Sequence, residues 1–245
     1  MRALQRSTWV ELKLFLREPL TVIFTLALPL LFLFVLGGVF GNQPDAGYYR
    51  GAGPLDFYVP GYIALVWAAV GLLALPVHLA RYREDGVLRR LRASSAPRWV
   101  VLGSQFAVSF VVSLVGGGLV ILAAALTYDI HAPRSVPGFL LAWLLCAALF
   151  GSLGLLFASI GSSRAALGAG LGAFFVMTML SGTGPPPEVL TGAMQGIRSA
   201  LPLTYAVRLM QDPWLGLSWS LTDTAAVLAF TLAALAATRL LFRWE

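Results

Sequence analysis

The chain has 245 residues, 58% of them hydrophobic and only 11% charged, against roughly a quarter charged in an ordinary soluble domain. That leaves too little polar surface for a water-soluble fold, and the net charge of +6 sits between apolar runs too long for a soluble nucleic-acid-binding protein. The only lysine, Lys13, lies between Leu12 and Leu14, which excludes a Gly-Lys-Ser/Thr phosphate loop in this chain.

In residues 1–18, helical spacing places Leu4, Trp9, Leu12, Phe15 and Leu16 on one side. Arg2, Arg6, Lys13 and Arg17 fall along an adjoining stripe. The pattern predicts a helix lying in the membrane interface, and Glu18-Pro19 then suits a turn into the bilayer, since proline is tolerated in the first turn of a helix. The first apolar run, 20–40, is longer than the roughly 7–15-residue core of a cleavable signal peptide, and is read as a spanning helix. At about 20 apolar residues per crossing, further spans are expected at 57–80, 100–126, 137–160, 166–183 and 221–242. The fold class is therefore all-α: a single polytopic membrane domain of six transmembrane helices with an N-terminal interfacial helix.

Six spans bring both termini to one side. That side carries Arg2, Arg6, Lys13, Arg17, Arg81, Arg83, Arg89, Arg90, Arg92, Arg98, Arg164, Arg239 and Arg243, thirteen basic residues against Arg50, Arg134, Arg198 and Arg208 on the other. The positive-inside rule makes the thirteen-residue side cytoplasmic, and an odd number of spans would scramble the asymmetry.

Two connections hold more than topology. The cytoplasmic loop 81–99 contains a short amphipathic pattern, with Val87, Leu88 and Leu91 on one face and Asp85 placed to cap its start. The outer connection 184–220 opens with Pro185-Pro186-Pro187 and continues with apolar pieces at 189–197 and 201–210. Neither piece is long enough to cross alone, so both are expected to dip into the outer leaflet against protein, as broken outer helices.

The spans contain no Asp, Glu, Lys or Arg away from their ends, and His78 and His131 fall near a span end and in an outer loop. Ion-coupled carriers need an intramembrane ionisable group, and nothing resembles a channel filter. The lone Cys146 has no disulfide partner. Ser104, Ser109, Ser113, Ser152 and Ser159 lack a histidine base, and no ligand grouping suits a metal. These serines, with Gly116-Gly117-Gly118 and Gly168, Gly170 and Gly172, read as close helix packing through small residues.

Taken together, Arg17-Glu18-Pro19 ahead of the first span, Arg83-Glu84-Asp85-Gly86-Val87-Leu88 with Leu91 and Ala96-Pro97, the broken outer segment and Leu201-Pro202-Leu203-Thr204-Tyr205 resemble a known pattern. It is that of the membrane subunits of ATP-binding-cassette exporters of the second type, a class that includes drug-resistance and lipid or polysaccharide exporters. The resemblance runs end to end.

It implies a permease with no cofactor of its own. A separate ATPase subunit, in two copies, would bind ATP and Mg, and a second permease copy or a paralogue would complete the path. It further implies that Glu84, Asp85, Gly86, Val87, Leu88 and Leu91 couple to the ATPase. Leu12, Phe15, Leu16 and Arg17 would belong to a gate helix, and Pro202 and Tyr205 to an outer gate. A bacterial plasma membrane is the expected location, with both termini cytoplasmic. Phe174, Phe175, Met177 and Met179 in the fifth span suggest a hydrophobic or amphipathic cargo such as a drug or lipid. The alternatives are a membrane scaffold or assembly subunit that never binds an ATPase, and an ion-coupled drug carrier, which the uncharged spans disfavour.

Overall fold

The computed structural model describes residues 9, 12, 13, 15, 17, 19–44, 47–87 and 98–241; for Leu20 and for 98–102 it describes the backbone alone. Leu16, Leu88 and Leu91, with most of the expected interfacial helix and of the 81–99 loop, lie outside the described residues.

The regular structure among the described residues is all helical, with no strand among them. Helix α1 runs as Pro19–Val22, a π-helical turn Ile23–Ala27 and Leu28–Phe40. Helix α2 runs as Pro54–Ala69, a second π turn Val70–Ala74 and Leu75–Glu84. There follow α3 (Arg98–Thr127), α4 (Val136–Ala158), α5 (Ser163–Leu180), the short α6 (Ala193–Ser199), α7 (Pro202–Leu215) and α8 (Leu221–Leu241). Six of these, α1 to α5 and α8, are long and apolar enough to cross a membrane, which matches the predicted number and order. Between α5 and α8 the chain is broken into a 3₁₀ turn Pro187–Val189, α6 and α7.

The two π turns have one cause. Each ends two residues before a proline, Pro29 in α1 and Pro76 in α2. A proline has no N–H to give the carbonyl four residues back, and its ring crowds that carbonyl. The backbone shifts register instead: the Leu28 N–H donates to the Ile23 carbonyl and the Leu75 N–H to the Val70 carbonyl, both five residues back.

Helix α2 is the axle of the bundle. Its most apolar stretch is wholly buried, whereas the corresponding stretch of α1 is 22% buried and that of α8 17%. Against its first half pack α1, α3 and α7, and against its second half α4 and α5. Tyr58 and Tyr62 stack at 5.8 Å, and Trp67 meets Trp143 of α4 at 5.2 Å edge to face.

Around the π turn the backbones themselves touch. A Cβ on Gly71 would stand 2.3 Å from the Phe150 carbonyl oxygen, one on Gly154 2.6 Å from that of Gly71, and one on Gly170 2.0 Å from that of Leu72. Gly116 and Gly117 of α3 sit tight against Val66 and Ile63, while Gly118, Gly168 and Gly172 face open space. Ser104, Ser109 and Ser113 of α3 and Ser152 of α4 are buried. Phe174 and Met177 belong to the core, whereas Phe175 and Met179 are exposed on the outside of α5.

Candidate functional sites at the two ends of the bundle

The end at which α2 finishes and α5 begins is termed proximal, and the opposite end distal. The proximal end holds a junction between α2 and α5. Glu84, the last residue of α2, accepts hydrogen bonds from the Ser163 N–H at 2.8 Å and the Ser163 hydroxyl at 2.7 Å. The position is favourable because a carboxylate at a helix N-terminus meets unpaired N–H groups and the positive end of the helix dipole. The preceding residue, Arg83, donates to the Gly161 carbonyl in the short connection before α5.

Beyond Glu84 the chain closes with the Asp85 N–H on the Arg81 carbonyl and leaves through Gly86 at φ +66°. Asp85 thus ends α2; the short amphipathic helix expected after it falls, from residue 88 on, outside the described residues. Of the predicted coupling residues, Glu84 is tied inward to α5, and Asp85, Gly86 and Val87 stand at the root of the loop.

Phe15 is buried at 3% exposure against Val70 and Ala74 of the α2 π turn and Val108 and Val112 of α3. Leu12 packs on the same cluster. Lys13 instead places its Nζ 5.1 Å from the exposed Trp9 ring, and Arg17 is exposed. Beside Phe15 a small, mainly apolar pocket of about 10 Å³ also meets the side chains of His78, Gln105 and Ser109, with room for about one water. His78 is expected near a span end, but α2 continues past 80 to Glu84, so His78 lies inside the helix and is buried, with Nδ1 2.8 Å from the Ala74 carbonyl.

The distal end is held by polar clamps that short-range sequence patterns do not announce. Asn42 caps α2 from a distance: its Oδ1 accepts the N–H groups of Leu55 at 3.0 Å and Asp56 at 3.2 Å. Its amide donates to Asp56 Oδ2 at 3.2 Å and to the Asp129 carbonyl at 2.7 Å. The formal N-cap, Gly53, has no side chain to do this, and a Cβ there would fall 2.2 Å from Asn42 Oδ1. Asp56 also accepts the His131 N–H and faces His131 Nδ1, both at 2.8 Å.

That contact raises the His131 pKa above the ordinary imidazole value, first through the Asp56 hydrogen bond and then through its charge. A pKa higher in the folded state gives stabilisation that is complete below about pH 6.5 and lost as pH climbs through the folded value. The thermal midpoint of the detergent-solubilised protein should therefore fall between about pH 6 and 8, and His131→Ala should flatten that fall. Equal slopes in the two proteins would remove His131 as the cause.

Tyr49 and Arg50 both lie in the left-handed region, at φ +56° and +58°, a conformation that costs non-glycine residues free energy and persists only when neighbours enforce it. Here the Tyr49 ring is wedged among Phe40, Phe57 and Tyr58, and Arg50 donates to Asp212 Oδ1 at 2.9 Å. Burial raises the Asp212 pKa and Arg50 opposes the shift. Asp212 Oδ2 accepts the Ser220 N–H at 3.3 Å, and the Ser220 hydroxyl accepts the Asp223 N–H at 3.1 Å to cap α8.

These residues border an open cleft of about 550 Å³ between α6, α7 and the start of α8, which also holds Glu188, Arg198 and Arg208. Arg208 is 3.5 Å from Asp223. Burial, and then the neighbouring Arg208 charge, lower the Arg198 pKa, without bringing it near neutrality. The predicted outer-gate residues do not line this cleft. Pro202 is buried at the first turn of α7, and Tyr205 donates to the Ser199 carbonyl at 2.5 Å and packs on Phe230.

A family model described as ABC-2 type transporter matches residues 2–213. No curated protein matches the chain.

Proposed function

Because the chain belongs to the ABC-2 type transporter family and is a multi-pass membrane permease, we propose that it forms half the pathway of an ATP-driven exporter. A separate ATPase chain, present in two copies, binds ATP and Mg, and a second copy or a paralogue of this permease closes the path. The proximal face is cytoplasmic, as the basic asymmetry supports, in a bacterial plasma membrane. The cargo is hydrophobic or amphipathic and moves outward, the class to which drug and lipid exporters belong. The 184–220 segment is its outer re-entrant element, with Pro202 and Tyr205 in its gate.

The observation that favours this reading is the α2–α5 junction. A force applied at 85–87 reaches α5 through Glu84 and Arg83, and reaches the π turn along the continuous second half of α2. Phe15 rests on that same turn, so a gate helix and a coupling loop would act on one deformable point. ATP can drive the change only if the two ATPase states contact the loop differently. Val87, with Leu88 and Leu91, supplies an apolar face of the kind that docks in a partner groove. Glu84 is assigned to transmission rather than docking.

The test is a pull-down of the tagged chain from native membranes, read by mass spectrometry, with Val87→Asp and Glu84→Gln as separate variants. A P-loop ATPase should co-purify with the parent and with Glu84→Gln and be lost with Val87→Asp. Glu84→Gln should instead lower ATP-dependent transport in vesicles. If the parent brings down no ATPase under conditions that keep other membrane complexes intact, the scaffold reading replaces the exporter.

A further inference from the structure

The distal cleft contains one cation more than its buried acids use. Arg50 is paired with Asp212 at 2.9 Å, and Arg208 stands 3.5 Å from Asp223, at the edge of hydrogen-bonding range. Arg198 has no such partner: its Nε is buried and makes no hydrogen bond among the described residues. The remaining acid, Glu188, is exposed at the rim. Arg198 is half-buried and lines the cleft; a partly desolvated guanidinium without a partner costs free energy until an anion meets it, and its planar fork suits phosphate or carboxylate oxygens.

A second cleft, of about 580 Å³, lies beside the first and is lined by Phe40, Tyr48, Tyr49, Pro54, Pro186 and Val189. The two share walls: Tyr49 lines one and Arg50 the other, and the turn at 186–189 borders both. The strained Tyr49-Arg50 pair therefore sets an aromatic surface and a cationic one side by side.

We propose that the paired clefts bind an anionic amphiphile, its phosphate or carboxylate head on Arg198 and Arg208 and its chain against Tyr48, Tyr49 and Val189. Glu188 is the competing anion at the rim, displaced when the head enters. This rests on the exporter reading only in treating such an amphiphile as cargo; a bilayer lipid with an acidic head has the same chemistry.

The experiment is calorimetric titration of the full chain in phosphatidylcholine nanodiscs with dihexanoyl phosphatidate, and with dihexanoyl phosphatidylcholine and inorganic phosphate as separate probes. The phosphatidate should bind saturably, and more tightly than either of the others. Arg198→Gln should weaken it roughly tenfold or more, the loss expected for a charge-assisted bond, and Glu188→Gln should tighten it. Unchanged thermal stability of Arg198→Gln, with Arg208→Gln as a second variant, separates a binding defect from a folding one. Equal binding by the parent, Arg198→Gln and Arg208→Gln overturns the proposal, as does equal binding of phosphatidate and phosphatidylcholine. So does failure of Glu188→Gln to tighten, since an acid that competes for the site must weaken binding while it is present. Repeating the titration in discs containing phosphatidylglycerol assigns the source: loss of signal places a bilayer lipid in the cleft, and retention places a mobile amphiphile there. No ATPase is needed, so failure here leaves the exporter reading untouched, and failure of the pull-down leaves this site standing.

Discussion

Replacing Gly170 by alanine should cost this protein about 3 kcal/mol or more, at or above the top of the range for overpacking. The added Cβ would lie 2.0 Å from the Leu72 carbonyl oxygen, and neither group is the free end of a side chain. Leu72 is the carbonyl that Pro76 cannot satisfy, so it sits inside the π turn, and relaxing it means moving the α2 backbone. That backbone is pinned on its other flank, where Gly71 and Gly154 allow α4 to approach equally closely. In a chain of this size such a loss lowers the thermal midpoint by roughly 6–12 °C. Gly168→Ala and Gly172→Ala, two residues to either side and facing open space, should stay within about 0.5 kcal/mol of the parent, as surface changes usually do. Melting curves of the three purified variants decide the matter. If Gly170→Ala melts with Gly168→Ala, the close approach of α5 to the π turn is not a constraint.

Asn42→Ala should be the most damaging single polar change at the distal end, costing about 3 kcal/mol from a lost cap and two lost donors. No other side chain caps the start of α2, since Gly53 offers none. Asp56, 6% exposed, would keep only its His131 contacts. Asn42→Asp separates the roles: the capping oxygen survives, but two carboxylates then face each other where an amide had bridged Asp56 to Asp129. It should be destabilised at neutral pH and recover partly on acidification. Were Asn42→Ala to melt like the parent, the cap would be incidental.

The sequence discloses the number, order and approximate limits of the crossing helices, because the bilayer sets a length that composition must meet. Span two, expected at 57–80, is longer at both ends, Pro54 to Glu84, since polar residues at helix ends continue the helix past the apolar run. Which helix is central was not legible. Lipid is as apolar as a protein interior, so a buried span and a lipid-facing one have the same composition. The π turns had a visible signal in Pro29 and Pro76, but it takes the packed glycines to show that the widened turn is used. The bonds of Asn42 and Glu84 are hidden for another reason: each meets partners across the fold, Glu84 bonding to a residue 79 positions away, and such pairs leave no local pattern. Arg198 read only as one of four basic residues on the sparse side, and its cleft exists only once α6, α7 and α8 are assembled.

The bond from the Gln211 amide to the Phe57 carbonyl joins residues 154 positions apart, and that separation is also an interval of time. At roughly 5–20 residues per second, the second helix leaves the ribosome some 8–30 seconds before the helix that finally covers it. During that wait α2 must live as a lone span in lipid, although its finished place is in contact with protein on every side. Its mean hydropathy of 2.2, close to the 2.4 of its more lipid-exposed neighbour α3, suits both addresses. Natural selection has thus written α2 for a nascent chain as much as for a finished one, and a substitution that improves its mature contacts at the expense of that apolarity would strand it at birth.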